Sequence, residues 1–218
     1  MRLLSLNTGL PREIEWRGDV VLTSIFKTPV TGRRWASRLN LDGDKQADLT
    51  VHGGVNKAVY VYPSEHYAFW HRELPGTDLP PGAFGENLTT EGLLEGGVQI
   101  GDQLRIGSTE FVVTQPRMPC YKLGVRFDRP DMVKRFLRSG RSGFYLAVVR
   151  EGDIGAADSI TRIASGPPGI SVAEVVALSA ADDPDRSRLR LASELPTLAE
   201  SWRERLRQRL ARLDAESD

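Results

Sequence analysis

One cysteine, three histidines and three methionines occur in 218 residues. The lone Cys120 excludes an internal disulfide, a multi-thiolate zinc site and a four-thiolate iron–sulfur cluster. Charge of neither sign is in excess, with 29 Lys plus Arg against 29 Asp plus Glu, so no general attraction to nucleic acid or to a membrane surface is expected. No apolar run approaches the ~18 residues that cross a bilayer. The opening MRLLSLNTGLPREIEW is interrupted at Asn7, Gly9 and Pro11 before an apolar stretch reaches signal-peptide length. The expectation is a cytoplasmic protein with neither nucleic-acid nor membrane partners. With 40 % apolar residues the chain buries a core without covalent staples.

Glycine is missing from one part of the chain. All 21 lie at or before Gly169, which divides a body at 1–168 from a tail at 169–218. In the body, short β-branched and apolar runs alternate with turn residues: VVLTSIF, DLTVHGG, AVYVYP, VQIGDQLRIGSTEFVVTQ, GFYLAVV and DSITRI. This spacing predicts a mainly β barrel or sandwich. Two segments with helical spacing, SEHYAFWHREL and PDMVKRFLRSG, decorate it. In the tail, Ser171 and Glu174 form a capping box that starts a helix. Leu198, Trp202, Leu206, Leu210 and Leu213 recur on one helical face. Arg203, Arg205, Arg207, Arg209 and Arg212 are interleaved with Glu200, Glu204, Asp214 and Glu216, the pattern of a solvated face rather than a nucleic-acid strip.

Four segments carry chemistry. In DLTVHGGVNKAVYVY, Gly53 and Gly54 allow a sharp turn while Asn56 and Lys57 offer hydrogen bonds and charge, which suits an anion; an ordinary glycine turn between strands is the alternative. The spacing is not that of a nucleotide P-loop. In FKTPVTGRRW, Lys27, Arg33 and Arg34 flank a Thr-Pro turn and read as an anion clamp or as an exposed loop. PGAFGENLTTEG places Gly82 and Gly85 ahead of Glu86 and Asn87. VTQPRMPCYKL places Cys120 between Arg117 and Lys122, cations that favour the thiolate form able to attack or bind metal; a small buried hydrophobe is the alternative. Cys120 with His52 also satisfies the residue requirement of a thiol hydrolase, without a visible third partner. His66 and His71, five apart, do not match the helical zinc-ligand step.

The runs KTPV, DLTVHGGVNKAVYVYP, GAFGENLTT, IGDQLRIGS, VTQPRMPCYKL and GFYLAVVREG, in this order, resemble the MOSC domain, the C-terminal domain type of molybdenum cofactor sulfurases. The resemblance is to its bacterial 6-N-hydroxylaminopurine resistance branch, the YiiM-like group, which ends in a small three-helix domain. It implies a MOSC-type β-barrel decorated by short helices plus that helical tail. It also implies binding of the molybdenum cofactor, Mo-molybdopterin, with Cys120 as the metal-ligating residue. A thiolate is a soft ligand suited to such a centre. By position in the motifs, Lys27, Gly53, Gly54, Asn56, Lys57, Asn87, Arg117 and Lys122 become cofactor-pocket candidates. The group's usual Gly-Asp near the end of the barrel is Ala157-Asp158 here, a change expected to touch a turn and not the pocket.

The activity implied is two-electron reduction of N-hydroxylated small molecules, such as N-hydroxylaminopurines, to amine and water. The cofactor carries the chemistry and the protein positions it. His52 is the candidate proton donor, because imidazole titrates nearest physiological pH. With one cysteine and no G-x-G-x-x-G fingerprint, electrons are expected from a separate flavin or iron–sulfur protein. The alternative is a non-catalytic carrier of the cofactor. The helical tail could cover the pocket mouth, bind the electron donor, form a homodimer, or serve stability alone.

Overall fold

The computed structural model describes residues 1–48, 53–166 and 169–215. Among these residues the strands are β1 (Arg2–Thr8), β2 (Arg12–Trp16), β3 (Asp19–Thr23), β4 (Thr28–Pro29), β5 (Arg34–Ala36), β6 (Val59–Pro63), β7 (Leu88–Glu91), β8 (Gln103–Ile106), β9 (Thr109–Pro116), β10 (Phe144–Arg150), β11 (Gly152–Ile154) and β12 (Ile160–Ala164). Alternation decides which are half-exposed: β8 reads exposed, buried, exposed, buried. By contrast VYVYP of β6 is buried at every position, as a strand covered on both faces requires.

Eight strands form one sheet in the order β12-β8-β9-β10-β6-β7-β1-β4. Neighbours pair antiparallel except β6 and β7, which run parallel. The sheet closes on itself because the first residues of β1 bridge the entry to β12: Arg2 pairs with Ser159, Leu3 N–H donates to Asp158 C=O at 2.9 Å, and Ile160 N–H donates to Met1 C=O at 2.9 Å. The other end of β1 carries β4. Closure removes the unpaired strand edges that an open sheet exposes. Leu3, Leu6, Val61, Leu104, Phe111, Phe144 and Ile160 fill the interior. VVLTSIF departs from the expectation of a body strand. Its β3 pairs with β2 in a separate hairpin, where Arg17 and Gly18 both take positive φ, as a right-twisting two-residue turn demands.

Of the six α-helices among the described residues, α1 (Tyr67–Glu73) and α3 (Met132–Ser139) fall in the two segments expected to be helical, and α2 (Lys122–Phe127) lies between β9 and α3. They cover an aromatic cluster of Tyr60, Tyr62, Trp70, Phe84 and Phe136. The indole N–H of Trp70 donates to the Tyr62 hydroxyl at 2.6 Å, satisfying the one polar atom of a fully buried ring. The GAFGENL loop is pressed against residues 25–27. Gly82 and Gly85 adopt φ of +87° and +80°, and a Cβ would stand 2.8 Å from Lys27 O at the first and 2.8 Å from Ile25 Cγ1 at the second. Only glycine meets both demands. Glu86, buried below, accepts from Gly82 N–H at 2.8 Å, Phe84 N–H at 3.0 Å and the Thr89 hydroxyl at 2.9 Å, and from the Tyr67 hydroxyl.

The tail holds α4 (Val172–Ala180), α5 (Arg186–Glu194) and α6 (Glu200–Ala215). Ser171 Oγ accepts from Glu174 N–H at 3.1 Å, so the capping box forms on this side. Trp202, Leu206 and Leu213 are buried and join the barrel's own core cluster. Trp202 Nε1–H donates to Pro116 C=O at 3.1 Å and Ala199 N–H to Thr114 C=O at 3.2 Å, tying α6 to β9. No helix among the described residues is long and apolar enough to cross a membrane.

Candidate functional site

Where β9 ends at Pro116, the chain leaves the sheet, passes through Arg117-Met118-Pro119-Cys120 and enters α2, with Leu123 N–H donating to Cys120 C=O at 3.0 Å. This short loop forms one wall of a cleft of about 660 Å³ including its mouth. Thr23 at the end of β3 and Ser24, Ile25 and Lys27 beyond it line the cleft as well, together with Tyr60 of β6, Tyr145 of β10, and Gly85 and Asn87. Lys27, Lys57, Asn87, Arg117, Cys120 and Lys122 all line it. Six candidates scattered over about a hundred residues are thereby brought together.

Their electrostatic roles differ. The Lys27 ammonium is buried and forms an ion pair with Asp44. Burial pulls its pKa below the ordinary lysine value, and the Asp44 charge and hydrogen bond oppose that pull. Asp44 Oδ1 also accepts from Gly9 N–H at 2.8 Å, and its Oδ2 accepts from Asn87 Nδ2 at 3.0 Å. Asn87 in turn accepts from Tyr60 N–H at 3.1 Å and donates to Asn7 C=O at 3.3 Å. Lys27 and Asn87 thus belong to a closed buried network whose centre is Asp44, and the Lys27 charge is already neutralised.

Arg117 is different. Its guanidinium lies 4.8 Å from the Tyr60 ring centroid and 5.2 Å from that of Phe136. Burial works against its charge, but Tyr60, Tyr145 and Cys120 around it outweigh burial and hold it protonated. Its Nη1 is buried with no hydrogen-bond partner, a costly condition for a guanidinium nitrogen. Tyr60 and Tyr145 form the aromatic floor, with ring centroids 5.2 Å apart, and burial raises the pKa of both hydroxyls, so both stay protonated. Partial burial lowers the pKa of Lys57.

Other candidates lie elsewhere. Gly53, Gly54 and Asn56 are absent from the cleft lining. Asn56 is exposed, and its carbonyl accepts from the Thr114 hydroxyl at 2.7 Å and Gln115 Nε2 at 3.1 Å, so the Gly-Gly-x-Asn segment positions Lys57 rather than lining the cleft. His52 lies outside the described residues. The anion clamp expected at Arg33 and Arg34 does not form at the cleft, whose lining includes neither: Arg33 is engaged by Asp158 at 3.0 Å and by the Asp153 carbonyl at 2.9 Å, and the strand that follows it, β5, pairs with β11. His66 is a satisfied core histidine, its Nε2 2.8 Å from Glu95 Oε2. Ala157 occupies a turn away from the cleft. Sequence reasoning did not single out Asp44, Tyr60 or Tyr145.

No group of three or more His, Cys, Asp or Glu residues that could hold a metal ion occurs among the described residues.

Residues 48–161 match the MOSC domain, and residues 170–213 match the YiiM-like 3-alpha helix domain. Protein YiiM of Escherichia coli is 37 % identical over 193 residues, covering 86 % of this chain and 84 % of the relative. A protein named Reductase from Gibberella moniliformis is 34 % identical over 182 residues; the match covers 82 % of this chain and 32 % of that longer protein. The crystal structure of YiiM from Geobacillus stearothermophilus superposes with a TM-score of 0.80 at 32 % identity, covering 96 % of this chain and 98 % of that one. The chain belongs to the MOSC-domain family, in its YiiM-like group with the three-helix C-terminal domain.

Proposed function

We propose that the chain is a reductase of N-hydroxylated small molecules that binds the molybdenum cofactor in the cleft at Cys120. The observation that carries this reading is the buried, unpartnered Nη1 of Arg117 beside Cys120, with Lys57 and Lys122 on the same cleft. That donor set fits an anionic pterin with a soft metal: one thiol for the metal, cations for the phosphate and an aromatic floor for the ring. Arg117, Lys57 and Lys122 hold the cofactor, and Cys120 ligates its metal. Lys27, Asp44 and Asn87 act behind them, fixing the GAFGENL loop and the start of β6. When bound, the cofactor supplies two-electron oxygen-atom abstraction from the substrate's N–O bond.

The overall conversion is R–NHOH + 2 H⁺ + 2 e⁻ → R–NH2 + H2O. The electrons come from a separate flavin or iron–sulfur protein, and His52 is the proton donor in this proposal. A fungal relative named a reductase supports redox activity for the group. The test is to reduce cofactor-loaded protein chemically, remove excess reductant and add an N-hydroxylated compound. Spectral reoxidation with release of amine supports the reductase; no reoxidation with full cofactor occupancy makes the protein a carrier.

A further inference from the structure

Glu95 lies between β7 and β8, is only 4 % exposed, and takes no part in the cleft lining. A buried carboxylate is costly unless its oxygens are satisfied, and both oxygens of Glu95 are. Oε2 stands 2.8 Å from His66 Nε2, and Oε1 accepts from Gly143 N–H at 2.7 Å. The His66 ring is placed in turn, edge-on to Tyr62 with centroids 5.3 Å apart. None of these groups has a role in the cofactor reading of the cleft.

What Glu95 holds reaches the cleft through the backbone. Gly143 N–H and Ser142 C=O are the two ends of one peptide unit, kept planar by resonance with N–H and C=O pointing in opposite directions. A hold on one end therefore orients the other. The N–H end is held by Glu95, while the C=O end accepts from the Tyr60 hydroxyl at 2.9 Å. Tyr60 lines the cleft, with the Arg117 guanidinium 4.8 Å from its ring centroid. The following carbonyl, that of Gly143, accepts from Arg117 N–H at 3.3 Å. Glycine makes this close approach possible: φ at Gly143 is +60°, and a Cβ there would stand 2.9 Å from the Tyr60 hydroxyl oxygen.

We propose that Glu95, oriented by His66, is a positioning residue for the cofactor cleft, acting across the Ser142–Gly143 peptide on the Tyr60 hydroxyl and on Arg117. Its consequence for cofactor retention rests on the cofactor reading of the cleft, whereas its mechanical link to Tyr60 does not, and the two are measured separately. The proteins compared are wild type, Glu95→Met, Glu95→Gln, Tyr60→Phe and the Glu95→Met/Tyr60→Phe double variant. Methionine fills the glutamate's volume without an acceptor; glutamine keeps an acceptor for Gly143 N–H.

In urea denaturation of the cofactor-free full-length protein, the losses from Glu95→Met and Tyr60→Phe should fail to add, because either substitution alone frees the peptide that both groups hold. In cofactor-loaded protein, Glu95→Met should speed release of the pterin about tenfold, the consequence of leaving a buried N–H unpaired, while Glu95→Gln releases at close to the wild-type rate. In the Tyr60→Phe background Glu95→Met should add less than about threefold; a residue serving stability alone would add the same factor in both backgrounds. Additive losses in urea, equal factors in the two backgrounds, or Glu95→Gln releasing as fast as Glu95→Met overturns the proposal. Non-additive losses in a protein that retains no pterin keep the positioning role and remove the cofactor reading. Pterin released from all five proteins at one rate does the opposite.

Discussion

Replacing Asp44 with Asn should destabilise the fold by an amount that falls as pH rises. In the folded protein Lys27 is buried, and its counter-charge is Asp44. Burial already holds the lysine below its ordinary value of 10.5, and removing the carboxylate removes the opposing pull. If Lys27 then folds neutral, the charge-linked loss at pH 7 stays below that of deprotonating an ordinary lysine, about 1.36 × (10.5 − 7), or roughly 4.8 kcal/mol. At pH 9 the same ceiling is about 2 kcal/mol. The sign follows from linkage. The unfolded chain binds a proton that the folded variant does not, so the variant gains stability with pH up to the unfolded lysine value. A loss of about 3 kcal/mol at pH 7 is in the range for orphaning one member of a buried pair. Urea denaturation at pH 7 and pH 9 measures it. Lys27→Met combined with Asp44→Asn should recover much of the loss, since no buried charge is left unpaired. A penalty equal at both pH values, or a double variant as unstable as the single one, would refute the reasoning.

Ala157 takes φ of 73° in the turn before β12, a conformation that costs an L-residue about 1–2 kcal/mol. Ala157→Gly should therefore raise stability by about 0.5 kcal/mol after the greater freedom of the unfolded glycine is subtracted, read as a small upward shift in Tm. Ser171→Ala removes the side-chain acceptor for Glu174 N–H and should cost about 1 kcal/mol in the same assay. Glu86 has its pKa raised by burial. Between the unfolded carboxylate value and that raised value the folded state holds the extra proton, so this residue's contribution to stability declines as pH rises through the window; Glu86→Gln should flatten that part of the pH–stability curve. His52→Gln should lower turnover while molybdenum content stays at the wild-type level, and unchanged turnover removes His52 as the proton donor.

Legibility in the sequence followed the range of the interactions. The Ser171 side of the capping box and the stripe through Trp202 and Leu206 are local, set within a helical turn or two, and the structure has both, while the Glu174 carboxylate turns to Arg188 instead of closing the box. The barrel strands in AVYVYP and GFYLAVV show alternation or continuous apolarity and are equally readable. Strand β7 is four residues and α2 six, too short for either period to emerge, and Gly124 within α2 masks it further. A Cβ at that glycine would stand 3.0 Å from Arg129 O, closer than ordinary van der Waals contact. The candidate site was partly legible. Arg117 and Lys122 flank Cys120 in sequence, and all three share the cleft. Asp44 gives no such signal: LDGDKQAD looks like a solvated turn, and its role appears only when folding brings Lys27 and Asn87 to the same carboxylate. The pairing of Arg33 with Asp158, 125 residues apart, is likewise a property of barrel closure and not of the local cationic run.

The most direct test of the cofactor proposal is the molybdenum and pterin content of protein produced in a host that makes the cofactor, comparing wild type with Cys120→Ser. The account predicts about one molybdenum per wild-type chain, and loss of metal or an altered absorption spectrum in the variant, because a hydroxyl replaces the soft thiolate ligand. Two folded proteins that carry neither molybdenum nor pterin, although the host makes the cofactor, would contradict it.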